Sequence, residues 1–340
     1  MENGEPKIAF YDTKDYYMEA FSEANEDMEL NFGIEFFDFN LDERTAICSK
    51  GFDVVCAYVN DNLNDKAIKI LKECGVKLIA LRGIGYNNVD LKSAAREQIK
   101  VVRVPSYSPY SIAEHAASLL LSLTRKIPQA YARALTGNFS AEELVGRNLH
   151  GLTAGIIGTG KIGKICAELL SGLGMRIELF DVAQDKDWSD RRGFKYVPLR
   201  DLFAESDVIS LHCSLTEETK HIINENSLAF MKKDVIVINT SRVALIDTKA
   251  LIKVLKKQLI GGIGIDIYEE ESKYFVDDLP VESIEEDVLE RLMTFPNVII
   301  TNHQAFLTED SLKIIAETTL ENIKAWKLGE KLENELKLEQ

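Results

Sequence analysis

The chain has 340 residues, and 40 Lys+Arg against 55 Asp+Glu give it a formal charge of −15. At roughly 150 residues per domain this length implies about two domains, each able to bury a core without metals or disulfides. A hydrophobic share of 46% with only 7 prolines excludes wholesale disorder, and an acidic balance without a basic block excludes a nucleic-acid surface.

Short runs rich in Val and Ile come first, at 7–12, 34–39, 53–58, 77–82 and 100–105. They continue at 153–158, 176–181, 207–213, 234–240, 261–268 and 297–302. Near-continuous apolar character suits strands buried on both faces of a parallel sheet. Amphipathic segments such as 64–74, 161–173 and 247–258 lie between them. This alternation predicts doubly wound α/β architecture, and so many strands exceed one comfortable sheet, so two parallel-sheet domains are expected. Ser111 with Glu114, and Ser140 with Glu143, have capping-box spacing. The first opens a helix over 111–126, and this helical region links the two sheets. After Asn302 the chain turns helical again to about Leu328 without a sheet of its own, so it packs back on the first domain. The expected division is 1–105 with 304–340 as one domain and 106–303 as the other, with a cleft between them. The charged tail, 330–340, reads as solvated.

The five cysteines (48, 56, 74, 166 and 213) form no C-x-x-C pair, and most read as core residues in a reducing cytoplasm. The five histidines are widely spaced, so no metal site is expected. No apolar run approaches the ~20 residues of a membrane span, and the first residues lack the pattern of a secretory signal.

Gly158, Gly160 and Gly163 form G-x-G-x-x-G between the 153–158 run and a helical segment. Such glycines permit the tight turn, close approach of backbone to a pyrophosphate, and close helix–strand packing. The anion then sits at a helix N-terminus. The next strand ends in Asp181, whose carboxylate suits a ribose diol and repels a 2′-phosphate, so NAD is favoured over NADP. Arg191 and Arg192 read as surface charges.

Three further features follow strands in the same half of the chain. Arg242 follows Asn239, the acids Glu269, Glu270 and Glu271 follow Asp266, and His303 follows Asn302. Ligands gather at the carboxyl ends of strands in an open α/β sheet. Arg can grip a carboxylate in a fork, and a carboxylate-backed imidazolium can protonate a carbonyl oxygen as hydride arrives. Singly each is an ordinary surface or structural group. Their order behind a nucleotide motif points to carbonyl reduction.

The sequence resembles the D-2-hydroxyacid dehydrogenase family, and within it the fermentative NAD-dependent D-lactate dehydrogenases. The resemblance rests on stretches at 54–61, 80–90, 101–109, 113–116, 155–163, 207–213, 239–242, 266–268 and 303–306. It implies a Rossmann NAD-binding domain and a flavodoxin-like, discontinuous substrate domain. It implies Arg242 as the binder of a 2-oxoacid, His303 as acid/base and Glu271 as the imidazole's partner. Backbone N–H groups of Ile84 and Gly85 would hold the carboxylate, with Tyr107 and Phe306 as pocket walls. The NAD groove would be Gly158, Gly160, Lys161, Ile162, Gly163, Asp181, His212, Cys213, Ser214, Thr219, Thr240, Ser241 and Asp266.

The implied activity is NADH-dependent reduction of a 2-oxoacid to a D-2-hydroxyacid, with pyruvate to D-lactate as the leading case. The alternatives are a bulkier 2-oxoacid, with Tyr274 and Phe275 as pocket residues, or an NADH-sensing corepressor-like binding protein. The implied partners are the small-molecule substrate and a second copy of the chain, in a homodimer or higher oligomer, with no nucleic acid and no membrane. Val243 stands where the family normally carries Gly. If that position required φ > 0, a β-branched residue would strain the loop by ~1–3 kcal/mol.

Overall fold

The computed structural model describes residues 4–266 and 289–337. The chain divides into two compact units, Met1–Ser108 with Leu307–Gln340, and Pro109–Phe306. Residues 106–108 therefore lie in the first unit and 304–306 in the second.

The first unit is built from β1 (Lys7–Phe10), α1 (Asp15–Asp27), β2 (Gly33–Phe36), β3 (Val54–Ala57) and α2 (Asp65–Cys74), followed by β4 (Leu78–Leu81), α3 (Leu91–Arg96) and β5 (Lys100–Arg103). Its parallel sheet has the order β2-β1-β3-β4-β5, the flavodoxin-like arrangement. β3 and β4 are buried at every position, which is why they read as unbroken apolar runs. The helix α2 starts where Asn64 accepts from the N–H groups of Lys66 and Ala67, and ends at left-handed Gly75.

The second unit opens with α4 (Pro109–Arg125) and α5 (Ile127–Leu135). There follow β6 (Thr153–Ile157), α6 (Lys161–Gly172), β7 (Arg176–Phe180), α7 (Lys186–Arg192), β8 (Lys195–Tyr196) and α8 (Leu199–Glu205). The chain continues through β9 (Val208–Leu211), α9 (Glu225–Phe230), β10 (Ile236–Asn239), α10 (Thr248–Lys256), β11 (Gly262–Ile265), α11 (Leu289–Met293) and β12 (Val298–Ile300). The order β12-β11-β10-β9-β6-β7-β8, all parallel, is that of a Rossmann sheet. One core packs α8, α9 and α10 on one face of this sheet, and a second packs α4, α6 and α7 on the other. The chain then returns to the first unit through α12 (Glu309–Leu328), which packs on α1, β4 and β5.

Three local expectations are corrected, and one short strand is added. The linking helix begins at Pro109, so Ser111 is buried inside its first turn and does not stand ahead of it. Pro109 takes the first helical position because it has no N–H to satisfy. Ser140 starts no helix, and its hydroxyl accepts the Glu142 N–H in a local turn. The tail is not simply solvated, because Leu336 donates to the Val101 carbonyl, Arg103 donates to the Asn334 carbonyl, and Leu332 is buried. This covers the free edge of β5, which would otherwise present unpaired backbone groups. The two-residue strand β8 went unread because it is too short to carry a period.

All five cysteines are free thiols, with Cys56, Cys74 and Cys166 buried, Cys213 half-buried and Cys48 exposed. Among the described residues no cluster of three His, Cys, Asp or Glu is placed to hold a metal ion. No helix among them is long and apolar enough to cross a membrane.

Candidate active site

The glycine loop leaves β6 and enters α6. Gly158 has φ 93°, and a Cβ there would fall 2.5 Å from the Cys213 nitrogen and 2.6 Å from the His212 carbonyl carbon. Both its conformation and its neighbours therefore demand glycine. A Cβ on Gly163 would collide with the Gly158 carbonyl oxygen, so the third glycine sets how closely α6 meets the strand. Gly160 differs, since a Cβ there meets nothing within 4 Å. It is the N-cap of α6, and no side chain caps the N–H groups behind it. Lys161 is exposed beside it and Ile162 is half-buried. Open space over uncapped N–H groups fits a pyrophosphate.

At the end of β7, Asp181 accepts from the Thr159 N–H (2.5 Å) and hydroxyl (3.1 Å), and its other oxygen accepts from the Ala183 N–H (2.9 Å). The Thr159 hydroxyl also meets the Tyr196 hydroxyl at 2.8 Å, a contact the sequence does not announce. The carboxylate is thus fixed at the rim of the glycine loop, where an adenosine ribose is expected in this fold. Arg192 pairs with Glu168 at 3.0 Å, in keeping with a surface charge.

After β9, the His212 ring turns to Ser210 (2.8 Å), which in turn touches the Cys166 thiol (3.8 Å) inside α6. His212 therefore faces the α6 side of the sheet, and its backbone, with that of Cys213, floors the glycine loop. Burial pushes the imidazole pKa down to about 4, so the ring is neutral at pH 7. Ser214 is exposed, and its carbonyl accepts from the Thr219 hydroxyl at 2.7 Å, which closes the loop on itself.

After β10, buried Asn239 shapes the next turn. Its amide donates to the Arg242 carbonyl (2.9 Å), and its oxygen accepts from the Ser241 N–H (3.0 Å). The Ser241 hydroxyl donates to the Cys213 carbonyl (2.8 Å), stitching the ends of β9 and β10. The Thr240 hydroxyl is buried with no protein hydrogen bond among the described residues. Arg242 is exposed, with Nη1 on the Ser241 carbonyl at 2.9 Å. Val243 opens a short 3₁₀ turn, is buried, and is not among the residues with positive φ. The expectation of strain there is therefore withdrawn.

After β11 and β12 the decisive geometry concerns Asp266. Its carboxylate is fully buried and accepts from the Thr301 hydroxyl (2.5 Å) and the N–H groups of Gln304 (3.0 Å) and Ala305 (2.8 Å). Its carbonyl accepts the His303 N–H at 2.6 Å. Burial raises the Asp266 pKa, but His115, Thr301 and the Ala305 N–H more than offset it, and the carboxyl lies below its ordinary range. His303 takes φ 51°, in the left-handed region, and its half-exposed ring stands edge-on to buried Phe306, 6.2 Å between centroids. Glu269, Glu270, Glu271, Tyr274 and Phe275 lie outside the described residues.

In the first unit, Ile84 and Gly85 are half-buried in the turn after β4. Arg103 Nη1 donates to the Ile84 carbonyl at 2.7 Å, and its guanidinium lies 5.1 Å from the Tyr86 ring centre. Among the described residues neither the Ile84 nor the Gly85 N–H meets a protein acceptor. Tyr107 is half-buried three residues beyond Val104. Sequence reasoning gave no role to Asn239 and Arg103, which hold backbone, or to Thr301 and Tyr196, which hold the side chains of Asp266 and Thr159.

Known proteins bear on this arrangement. Residues 117–305 match the sequence family "D-isomer specific 2-hydroxyacid dehydrogenase, NAD binding domain". The D-lactate dehydrogenase of Escherichia coli is 46% identical over 330 residues, 97% of this chain and 99% of that protein. The apo structure of D-lactate dehydrogenase from Escherichia coli superposes with a TM-score of 0.89 at 45% identity, covering 97% of this chain and 100% of that one. A structure described as the pyruvate reductase of Chlamydomonas reinhardtii gives 0.92 at 38% identity, covering 97% and 98%. A glycine loop fitted to a pyrophosphate, an acid at the next strand end and near-full-length similarity agree, and the chain belongs to the family of NAD-dependent, D-isomer-specific 2-hydroxyacid dehydrogenases.

Proposed function

We propose that the protein reduces pyruvate to D-lactate with NADH, acting in the cytoplasm as a homodimer. The observation that carries the reading is the placement of Arg242 and His303 on turns at the carboxyl ends of β10 and β12. These strands belong to the sheet whose β6–α6 turn is the glycine loop. Arg242 binds the substrate carboxylate with its planar fork, a geometry that Lys lacks. Ile84, Gly85, Tyr107 and Phe306 are assigned to the substrate on the resemblance alone. His303 donates its proton to the keto oxygen of the 2-oxoacid and recovers one from solvent after turnover. Glu271 is assigned as the carboxylate that keeps that imidazole charged, on the resemblance alone.

Bound NADH supplies the hydride. The N–H groups at the start of α6 take its pyrophosphate, and Asp181 takes the ribose diol and disfavours a 2′-phosphate. Thr240 and Ser241 are assigned to the reacting end of the groove, and Asp266, whose carboxylate has no exposed surface, serves it through the loop it holds. The name of the Escherichia coli relative supports lactate as the product. Free thiols at all five cysteines support a reducing compartment.

The dimer reading rests on α5 and the segment after it. No residue of α5 is buried, and Tyr131, Leu135, Phe139 and Val145 are 65%, 70%, 84% and 82% exposed. A surface this apolar is expected to be covered. Sedimentation analysis tests it: Tyr131→Lys with Leu135→Lys is expected to give monomers, and a dimeric variant would contradict the assignment.

A panel of 2-oxoacids with NADH and NADPH, with chiral analysis of the product, tests the activity. Pyruvate with NADH is expected to be the preferred pair and D-lactate the product. Preference for a bulkier acid would move the substrate assignment, and NADH binding without turnover would favour a sensor.

A further inference from the structure

One side chain beside this site comes from outside the strand ends. His115 lies in the second turn of α4, the helix that opens the second unit. Its Nε2 is 3.1 Å from the Thr301 hydroxyl and 3.3 Å from Asp266 Oδ1. Thr301 in turn gives its proton to Asp266 Oδ1 at 2.5 Å. A hydroxyl has one proton to give, so the Thr301 oxygen can only accept from His115. The imidazole therefore carries its proton on Nε2 and donates into the Thr301–Asp266 pair in either charge state.

Asp266 holds three successive residues of the loop after β12, two through its carboxylate and one through its backbone carbonyl. Gln304 and Ala305 donate to its oxygens, and His303 donates to its backbone carbonyl. His303 sits between these anchors at φ 51°, a conformation that costs free energy in a non-glycine residue and persists only where neighbours fix it. Asp266 has no exposed surface, so water does not replace a lost donor without rearrangement. The helix α4 packs on β10, β11 and β12, so the histidine is delivered by a rigid element.

We propose that His115 is a positioning residue for the reaction: through Asp266 and Thr301 it holds the 301–305 loop in the conformation that aims His303 at its substrate. The proposal rests on the role given to His303 above. It makes α4 part of the acid/base apparatus as well as a connector. Nothing in it requires His115 to touch substrate or cofactor.

The test compares His115→Leu, His115→Gln and Thr301→Val with the wild-type chain. Leu keeps the helix and the bulk but removes the donor, Gln restores an N–H donor, and Thr301→Val breaks the chain from its other side. Steady-state kinetics with pyruvate and NADH, and amide hydrogen exchange at Gln304 and Ala305 without cofactor, are measured together. Loss of a hydrogen bond to a charged group corresponds to a change of about 10- to 100-fold. His115→Leu and Thr301→Val are each expected to lower kcat by that much, with KM for pyruvate and Kd for NADH within about threefold. Exchange at Gln304 and Ala305 should quicken by a similar factor, and His115→Gln should restore both readouts to within about threefold. Unchanged kcat in His115→Leu, or a fall in kcat with unaltered exchange, would overturn the proposal. If the wild-type chain reduces no 2-oxoacid, the activity assignment fails. The exchange rates then still decide whether His115 holds the loop.

Discussion

Asp266 in the second unit and Arg82 in the first are fully buried charged side chains that follow strands of the two parallel sheets, and they are held in different ways. Asp266, after β11, is satisfied by directed donors from Thr301, Gln304, Ala305 and His115. Arg82, after β4, is fully buried inside a cage of aromatic rings. Its guanidinium carbon lies 4.5, 4.7 and 5.0 Å from the ring centres of Phe10, Tyr17 and Tyr58. One nitrogen donates to the Asp12 carbonyl at 2.8 Å and stands 3.8 Å from the Asp12 carboxylate. Nε and Nη1 make no hydrogen bond to protein among the described residues. The anion thus pins a loop through several directed hydrogen bonds, while the cation makes one, to the Asp12 carbonyl, and is otherwise stabilised by ring faces and Coulomb attraction. The pinned loop is the one that carries His303, and the caged cation precedes the turn of Ile84 and Gly85.

Breaking the cage should have the largest effect. Arg82→Ala removes a fully buried side chain and leaves Asp12 without its nearest buried cation. The expected loss is about 3–5 kcal/mol, read by denaturant unfolding of the first unit. A loss below about 1 kcal/mol would mean that the rings repack without the cation.

Breaking the clamp should act on activity before stability. Asp266→Asn places an amide N–H against donors that now share a carboxylate. A cost of about 2–3 kcal/mol is expected, seen as a fall in kcat with faster exchange at Gln304 and Ala305. A variant with wild-type kcat would remove Asp266 from the account.

Titration sharpens the contrast further. In the second unit His212 is held neutral, its pKa lowered by burial from 6.5 to about 4. The unfolded chain therefore binds more protons than the folded one between those values, and stability is lost as pH falls from 6.5 towards 4. Part of the residue remains accessible to solvent, which limits the loss to roughly 1–2 kcal/mol. In the first unit the opposite holds. Burial raises Asp61 to about 6 despite Arg82 and the N–H groups of Tyr58 and Leu41. The folded state then binds the extra proton, and this group adds stability as pH falls from about 6 to 4. Hydrogen exchange at β9 and β3, corrected for intrinsic rates, should diverge over this window. His212→Gln should flatten the β9 trend, and parallel trends would contradict the reading.

Much of this was legible in the amino-acid sequence, for physical reasons. Buried parallel strands must be apolar on both faces, so β3, β4, β9 and β10 announce themselves. Gly158 and Gly163 are fixed by collisions that any Cβ would cause, so the nucleotide loop reads through chemistry as well as spacing. Other features were hidden. Ser111 has capping-box spacing yet lies inside the helix, because Pro109 starts it two residues earlier. The pairing of Leu336 with Val101 joins segments far apart in the chain, and a charged tail does not reveal it. The sequence reading took Asp266 for a groove residue and not for the anchor of a loop, since its partners Thr301 and His115 are ordinary residues until the fold assembles them. Val243 showed the reverse error, a departure from the family pattern that the backbone accommodates without a left-handed conformation.

The central claim is that His303, held by the Asp266 loop, delivers the proton for reduction of a 2-oxoacid. Its most direct test is the rate of D-lactate formation from pyruvate and NADH by the wild-type chain and by His303→Ala. The account predicts D-lactate from the wild type and a fall in kcat of roughly 10²–10⁴ in the variant, with NADH still bound. A variant that turns over at the wild-type rate, or a wild type that yields L-lactate, would contradict it.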